Sequence, residues 1–307
     1  MEFTAKKQDW LRILLYIGIT FLLTWGYCLL ILYPVIKGES LNGVPSITFQ
    51  LLTAVVMFFP ALGVLITRLI TKEGFRGSWL MPNLRGNIKT YLLAWFGPSI
   101  LTILGALLYF LIFPDQFDPD CGYMQATLDS MGATAEDIPI PLNLLMVVQG
   151  IQGIFLGPIM NFVTCFGEEW GWRGYLLPKL SKRLPLLPTL LISGIIWGLW
   201  HAPLTIVGHN YGLGYPGFPF TGIGMMCLFC VTLGTLMSYV TLKTRSCIPA
   251  ILAHGAVNGI AAIGIYFTFD GGNPFVGPAP TGIIGMIPFM IVAIILGYKL
   301  MKAEKSK

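Results

Sequence analysis

Charged residues are scarce in this sequence. Only 11% of its 307 residues are Asp, Glu, Lys or Arg, whereas 55% are hydrophobic. A soluble domain usually contains about 25% charged residues, because a fold of this size must cover its surface with polar groups. The deficit excludes a water-soluble fold and indicates a protein whose outer surface faces lipid.

Nucleic-acid-binding patterns and a disulfide framework are also missing. The formal net charge is +5, but the basic residues are dispersed and no helix-turn-helix, zinc-finger or RNP pattern occurs, so no nucleic-acid partner is expected. The six cysteines are scattered along the chain. Cys227 and Cys230 form a C-x-x-C pair inside an apolar helix, without the second pair that a structural zinc site needs, so we expect buried thiols.

Long apolar runs are what the sequence does have. A helix needs about 20 apolar residues to cross a bilayer, and eight segments meet this length: 11–33, 48–70, 90–113, 142–180, 186–207, 220–242, 247–268 and 281–301. They predict an all-α, polytopic transmembrane helix bundle of about eight spans, with residues 1–307 forming a single membrane domain. The fourth segment is too long for one straight span, so we expect it to project beyond the hydrocarbon or to bend near Gly157-Pro158.

Basic and acidic residues separate between the two sides of the predicted bundle. If the spans alternate, one side carries most of the lysines and arginines: Lys6, Lys7, Arg12, Lys72, Arg76, Arg85, Lys89, Lys179, Lys182, Arg183, Lys243, Arg245, Lys299, Lys302, Lys305 and Lys307. The other side holds Lys37 and an acidic loop: Asp115, Asp118, Asp120, Asp129, Glu136 and Asp137. The positive-inside rule then predicts that both termini are cytoplasmic. A basic chain without an N-x-[ST] sequon favours an integral protein of a prokaryotic plasma membrane.

Away from the loops and helix ends, ionisable residues in the predicted spans are few, and each is a candidate for function because burying a charge in the membrane is costly. They are Glu168, Glu169, Arg173, His201 and His254, joined by the polar Asn258. At about 1.5 Å per residue, the candidates Glu168, His201, His254 and Asn258 lie roughly 10–22 Å in from the predicted cytoplasmic ends of their helices. We therefore expect these four side chains to meet within the membrane. His209 and Asn210 fall in a predicted external loop and receive no role.

The spacing of the acidic motif separates the two carboxylates. Glu169 and Arg173 are four residues apart and share a helix face, which predicts an ion pair. Glu168 points about 100° away on the same helix, so its carboxylate stays available as a base. The alternative is that the ion pair only locks two helices together. His254 and Asn258, also four apart, present side by side on another helix.

Three motifs in order, E-E-x-x-x-R at 168–173, W-x-x-x-H at 197–201 and H-x-x-x-N at 254–258, resemble those of the CPBP (Abi) family of intramembrane proteases. That family includes the type 2 CAAX prenyl endopeptidases, and the resemblance covers roughly residues 145–262. Trp197 stands where Phe is common in the prenyl proteases, so the resemblance leaves open whether the substrate is prenylated.

The resemblance implies a peptidase whose catalytic helices lie within 142–268. Glu168 and His201 would activate a water, His254 and Asn258 would form the oxyanion site, and Glu169 and Arg173 would support them. The implied partners are membrane lipid and a membrane-associated peptide or protein substrate, and no cofactor is expected. A zinc site of Glu168, His201 and His254 remains an alternative, although the sequence contains no H-E-x-x-H.

Two non-enzymatic interpretations use the same polar cluster. It would serve a proton-coupled transporter as a proton relay, or a membrane scaffold or immunity protein as a partner-binding core. The absence of an internal repeat disfavours an inverted-repeat transporter. A scaffold should retain its function after loss of Glu168, which distinguishes it from a peptidase.

Overall fold

The computed structural model describes residues 2–37, 46–133 and 138–306, with side chains from residue 8 onward. Within these ranges every extended regular element is a helix, and an isolated antiparallel bridge joins Asn273 and Gly277. The predicted all-α fold is confirmed. The α-helices are α1 Glu2–Tyr27, α2 Tyr33–Ile36, α3 Ile47–Val56, α4 Phe59–Ile70, α5 Ile88–Ile112, α6 Gly122–Ser130, α7 Leu142–Met160, α8 Phe162–Gly171, α9 Leu177–Leu180, α10 Leu186–Trp200, α11 Ala202–Ile206, α12 Phe220–Thr244, α13 Ile248–Ile260, α14 Ile263–Tyr266 and α15 Ile283–Lys305.

Seven helical segments of the described chain are long and apolar enough to cross a membrane. They are Gln8–Ile36, Ile47–Ile70, Ile88–Ile112, Leu142–Met160, Phe220–Thr244, Ile248–Tyr266 and Ile283–Lys305. An eighth apolar helix, Leu186–Trp200, is shorter. Each of the eight predicted segments therefore contains an apolar helix, but the second, fourth, fifth and seventh are not single uninterrupted helices.

The fourth segment is broken by one residue at Asn161. Pro158 lies inside α7, and because proline has no N–H it cannot bond to the carbonyl one turn earlier. Helix α7 ends two residues later, and the Asn161 side chain donates to the Gly157 carbonyl at 2.9 Å. The chain resumes as α8, continues through a π-helical turn at Trp172–Leu176 and ends in α9. The predicted interruption thus lies three residues beyond Pro158, and it sets the direction of the acidic motif.

The fifth segment is interrupted at His201. Helix α10 ends at Trp200, and α11 begins with Pro203 in its first turn. Proline is tolerated there because the first N–H groups of a helix have no partner within it. His201 therefore lies at a junction between two helices.

Glycines bring the site-bearing helices close together. A Cβ at Gly153 of α7 would lie 2.2 Å from the Gly259 carbonyl oxygen of α13, and one at Gly157 would lie 3.0 Å from the Gly259 Cα. A Cβ at Gly198 of α10 would lie 2.4 Å from the Cys227 Cα of α12. Small residues at such contacts let backbones approach in membranes. Glycine is required at these positions because any side chain would separate the helices.

Ion pairs and a hydrogen bond connect several chain segments at one end of the bundle. Arg183 donates to Asp9 of α1 at 3.0 Å, Glu73 after α4 pairs with Lys179 of α9, and Glu304 of α15 accepts from the first N–H of α10. These contacts bring several of the predicted basic connections to the same end. On which side of a membrane this end lies remains a prediction.

Some of the charged residues on which the topology prediction rests are not among the described residues. Glu136, Asp137 and Lys307 are outside the described residues, as are the side chains of Lys6 and Lys7. Asp118, at the opposite end of the bundle, is buried and accepts from the backbone N–H groups of Asp120 and Gly122. This acidic side chain therefore holds its own loop rather than facing solvent.

Candidate active site

The predicted ion pair between Glu169 and Arg173 is present and buried. Arg173 Nη1 lies 3.0 Å from both carboxylate oxygens of Glu169. The same carboxylate bonds to a third group, because His254 Nδ1 of α13 lies 2.9 Å from Glu169 Oε1. Glu169 is thus the link between the acidic motif and the helix that carries His254.

Glu168 makes a different contact, as its position on the helix predicts. Its Oε2 accepts a hydrogen bond of 2.9 Å from Trp197 Nε1 on α10. The indole ring also covers the guanidinium of Arg173, whose Cζ is 4.0 Å from the ring centroid. Trp197 therefore contacts both parts of the acidic motif: it donates to Glu168 and stacks on the cation that neutralises Glu169.

The hydrogen bond of His201 defines which ring nitrogen is basic. His201 Nδ1 lies 2.8 Å from the Trp197 carbonyl oxygen. A carbonyl only accepts, so we assign the proton of the neutral ring to Nδ1. Nε2 then carries the lone pair and is the atom able to take a proton.

His254 must gain a proton before its free ring nitrogen can act as a donor. Its Nδ1 donates to the Glu169 carboxylate, so Nε2 of the neutral ring is an acceptor. Nε2 becomes a donor only when the ring is protonated. With that proton the buried group is electrically balanced, since two carboxylates face one guanidinium and one imidazolium: Glu168 and Glu169 against Arg173 and His254.

Asn258 lies one turn from His254 and reaches the edge of the site. Its side chain is exposed, and its Nδ2 has a weak sulfur acceptor, Cys165 Sγ, at 3.7 Å. Sulfur binds amide N–H groups weakly. A stronger acceptor on a bound molecule would therefore compete successfully for the amide.

The four predicted catalytic residues line one cavity of about 370 Å³: Glu168, His201, His254 and Asn258. Apart from Glu168, the described residues of this wall include no carboxylate, lysine or arginine; its other polar members include Gln50, Thr53, Asn161, Thr164, Asn210 and Thr281. Glu169 and Arg173 lie behind the wall. The site is therefore a mainly apolar space in which amides and hydroxyls surround one carboxylate and three imidazole rings.

His209 and Asn210, which were predicted to lie in an external loop without a role, also line this cavity. The loop turns inward because Gly208 and Asn210 adopt left-handed conformations, with φ of +97° and +69°. Glycine and asparagine tolerate this region better than other residues do. A histidine eight residues after His201, flanked by Gly208 and Asn210 as a turn signal, was the available clue, but the apolar pattern alone does not show that the loop folds back.

The donor set for a metal differs from the predicted one. Among the described residues, donor atoms of Glu168, Glu169 and His254 lie within 4.8 Å of one another, and His201 is not in this group. Glu169 is already bound by Arg173, whose positive charge would oppose a divalent cation in the same place. A metal fits these residues only if that ion pair rearranges.

Comparisons with known proteins agree with the motifs. Residues 149–260 match the family described as type II CAAX prenyl endopeptidase Rce1-like. The chain is also similar to CAAX prenyl protease 2 of Methanococcus maripaludis, with 36% identity over 95 residues, or 30% of this chain and 34% of that protein. The chain thus matches about one third of the length of this curated relative. The family-matched segment contains all three motifs, and the resemblance inferred from them is confirmed.

Proposed function

We propose, from the premise that residues 149–260 belong to the Rce1-like family of type II CAAX prenyl endopeptidases, that this protein is an intramembrane endopeptidase. It would hydrolyse a peptide bond of a membrane-associated peptide or protein. The observation that carries the proposal is the convergence of Glu168, His201, His254 and Asn258 on one cavity. The name of the archaeal relative makes a prenylated CAAX peptide the first substrate to test.

Water activation would fall to Glu168 and His201. Glu168 Oε2 is engaged by Trp197, which leaves the other carboxylate oxygen to accept from water. His201 Nε2 has the lone pair, because Nδ1 is held by a carbonyl. One of these groups takes a proton from the water while the water oxygen attacks the peptide carbonyl. The protonated group then gives that proton to the leaving amine. Such acid–base assistance contributes about 10²–10⁴ in rate.

Charge on the carbonyl oxygen would be stabilised by His254 and Asn258. In its protonated form His254 would donate through Nε2–H, with Nδ1–H held by the Glu169 carboxylate. Asn258 supplies an amide N–H from the next turn of the same helix. Donors fixed in a site of low dielectric stabilise an oxyanion without reorganising, and removal of one such donor costs about 10²–10³ in rate.

We propose that this chemistry needs no metal. Arg173 already neutralises Glu169, and a water between a carboxylate and an imidazole has two proton acceptors. Incubation with a zinc chelator followed by dialysis should leave the cleavage rate unchanged. A loss of rate that added Zn²⁺ restores would instead support a metal site at Glu168 and His254.

The direct test is cleavage in reconstituted lipid. The purified protein would be given a panel of membrane-associated peptides, prenylated and unprenylated, beside Glu168→Gln and a matched control, Asp270→Asn, in an exposed loop. We expect cleavage by the wild type and the control and at least a 100-fold loss in Glu168→Gln. Equal rates in all three proteins would mean that Glu168 is not the base and would refute the assignment.

A further inference from the structure

The catalytic cavity continues past the reacting residues. A second cavity of about 210 Å³ shares Asn210, Ala261, Pro280 and Thr281 with it. The rest of the second wall is formed by small or apolar residues and glycines: Ala262, Ile265, Gly271, Pro274, Gly277, Pro278 and Ala279. Asn210 therefore lies where the cavity that holds the candidate catalytic residues meets a smaller, mostly apolar one.

The side chains of His209 and Asn210, at this junction, have polar atoms that are available to a ligand. Within the described part of the chain, the His209 ring forms no side-chain hydrogen bond. It packs against the Phe49 ring, with 6.2 Å between the two ring centroids. Among the described residues, the hydrogen-bond partner of Asn210 Nδ2 is the weakly accepting sulfur of Met226, at 3.6 Å. Burial lowers the pKa of His209 to about 4, so its ring is neutral at physiological pH and offers one donor and one acceptor.

Neutral donors and acceptors in this position suit a peptide main chain. An extended peptide presents alternating N–H and C=O groups whatever its sequence, and main-chain bonds supply affinity while pockets for side chains supply specificity. A charged terminus would be a poorer ligand, because the shared wall contains no lysine or arginine. The apolar second cavity has room for a small apolar side chain.

Resting on the proposed function, we infer that His209 and Asn210 form a substrate-positioning subsite. They bind main-chain groups of the substrate beside the scissile bond, and the adjoining cavity takes an apolar substrate residue. The two residues act on binding rather than on the bond-breaking step, which Glu168 and His201 perform.

The test compares Asn210→Gly and His209→Ala with the wild type on the best-cleaved peptide and on versions shortened by one residue at a time from each end. Glycine keeps the left-handed turn at position 210 and removes only the side chain. Ile206→Ala, an exposed position outside both cavities, is the matched control. We expect both subsite variants to raise KM about three- to tenfold, with kcat within about twofold and the control unchanged.

The length series separates positioning from a loosened fold. Once the peptide is too short to reach the subsite, its KM should be equally high for the wild type and Asn210→Gly. A KM increase that is the same for every length, or a fall in kcat at constant KM, would overturn the subsite and leave the proposed function standing. Failure of the wild type to cleave any peptide would overturn both. Binding of the same peptides to Glu168→Gln, by fluorescence anisotropy, should show the same loss when Asn210→Gly is added.

Discussion

The neighbouring carboxylates should respond differently to the same chemical change. Glu168→Gln keeps an oxygen that accepts from Trp197 Nε1, so the fold should lose about 1 kcal/mol or less. Glu169→Gln instead removes the charge that Arg173 and His254 both face. The side chains of Glu169, Arg173 and His254 are 0%, 1% and 8% exposed, so solvent cannot replace the lost partner.

The magnitude follows from that burial. Removing one member of a buried ion pair costs about 3–5 kcal/mol, because the other charge stays buried without compensation. In domains of 150–250 residues about 1 kcal/mol moves the unfolding midpoint by roughly 2–4 °C. This protein has 307 residues, so its unfolding midpoint should shift less for each kcal/mol. We expect Glu169→Gln to unfold several degrees below the wild type and Glu168→Gln near it.

Activity should show the reverse order. Glu168→Gln loses a proton acceptor and should fall at least 100-fold in kcat. Glu169→Gln weakens the protonated form of His254 and should fall about 10–100-fold, less than for complete loss of an oxyanion donor.

The assay is thermal unfolding in detergent, followed by tryptophan fluorescence, with kcat measured on the same preparations. Equal midpoints for the two variants would refute the division of roles. So would an active Glu168→Gln protein beside an inactive, fully stable Glu169→Gln protein.

Three further predictions concern other contacts. Trp197→Phe keeps an aromatic ring but removes the donor to the buried Glu168 carboxylate, so kcat should fall about tenfold or more, and the unfolding midpoint should drop in line with the about 1–3 kcal/mol that an unsatisfied buried acceptor costs. Gly153→Ala forces a methyl group into the backbone of α13, and the unfolding midpoint should drop in line with a loss of about 1–3 kcal/mol; an unchanged midpoint would mean that α7 can move away freely. Although burial opposes it, the hydrogen bond from Lys179 lowers the pKa of Glu73. This contribution to stability is therefore complete above the ordinary carboxyl range and is lost as the pH falls through the lowered pKa, and in Glu73→Gln the acid-dependent part of unfolding should shrink.

The sequence predicts the helices well because lipid leaves a simple signal. A bilayer-spanning helix must be apolar over about 20 residues, and all eight predicted segments contain an apolar helix. The exact interruptions are harder to predict. Pro158 permits a break but does not determine its position, and the helix ends only where the Asn161 side chain caps the Gly157 carbonyl.

The pair within one helix was also predictable, since residues four apart meet whatever surrounds them. Contacts between helices were not. Neither the link from Glu169 to His254 nor the bond from Trp197 to Glu168 follows from spacing, because each depends on how helices far apart in sequence rotate and approach.

By itself the sequence determined the lipid-facing helical class, the order of the motifs and the ion pair of Glu169 with Arg173. These depend on composition and on the local period of a helix. The tertiary structure alone decided that His201 is basic at Nε2, that His254 donates to Glu169, and that His209 lines the cavity. Those properties depend on which acceptor or wall a side chain meets across the bundle, and close glycine contacts between helices determine that choice.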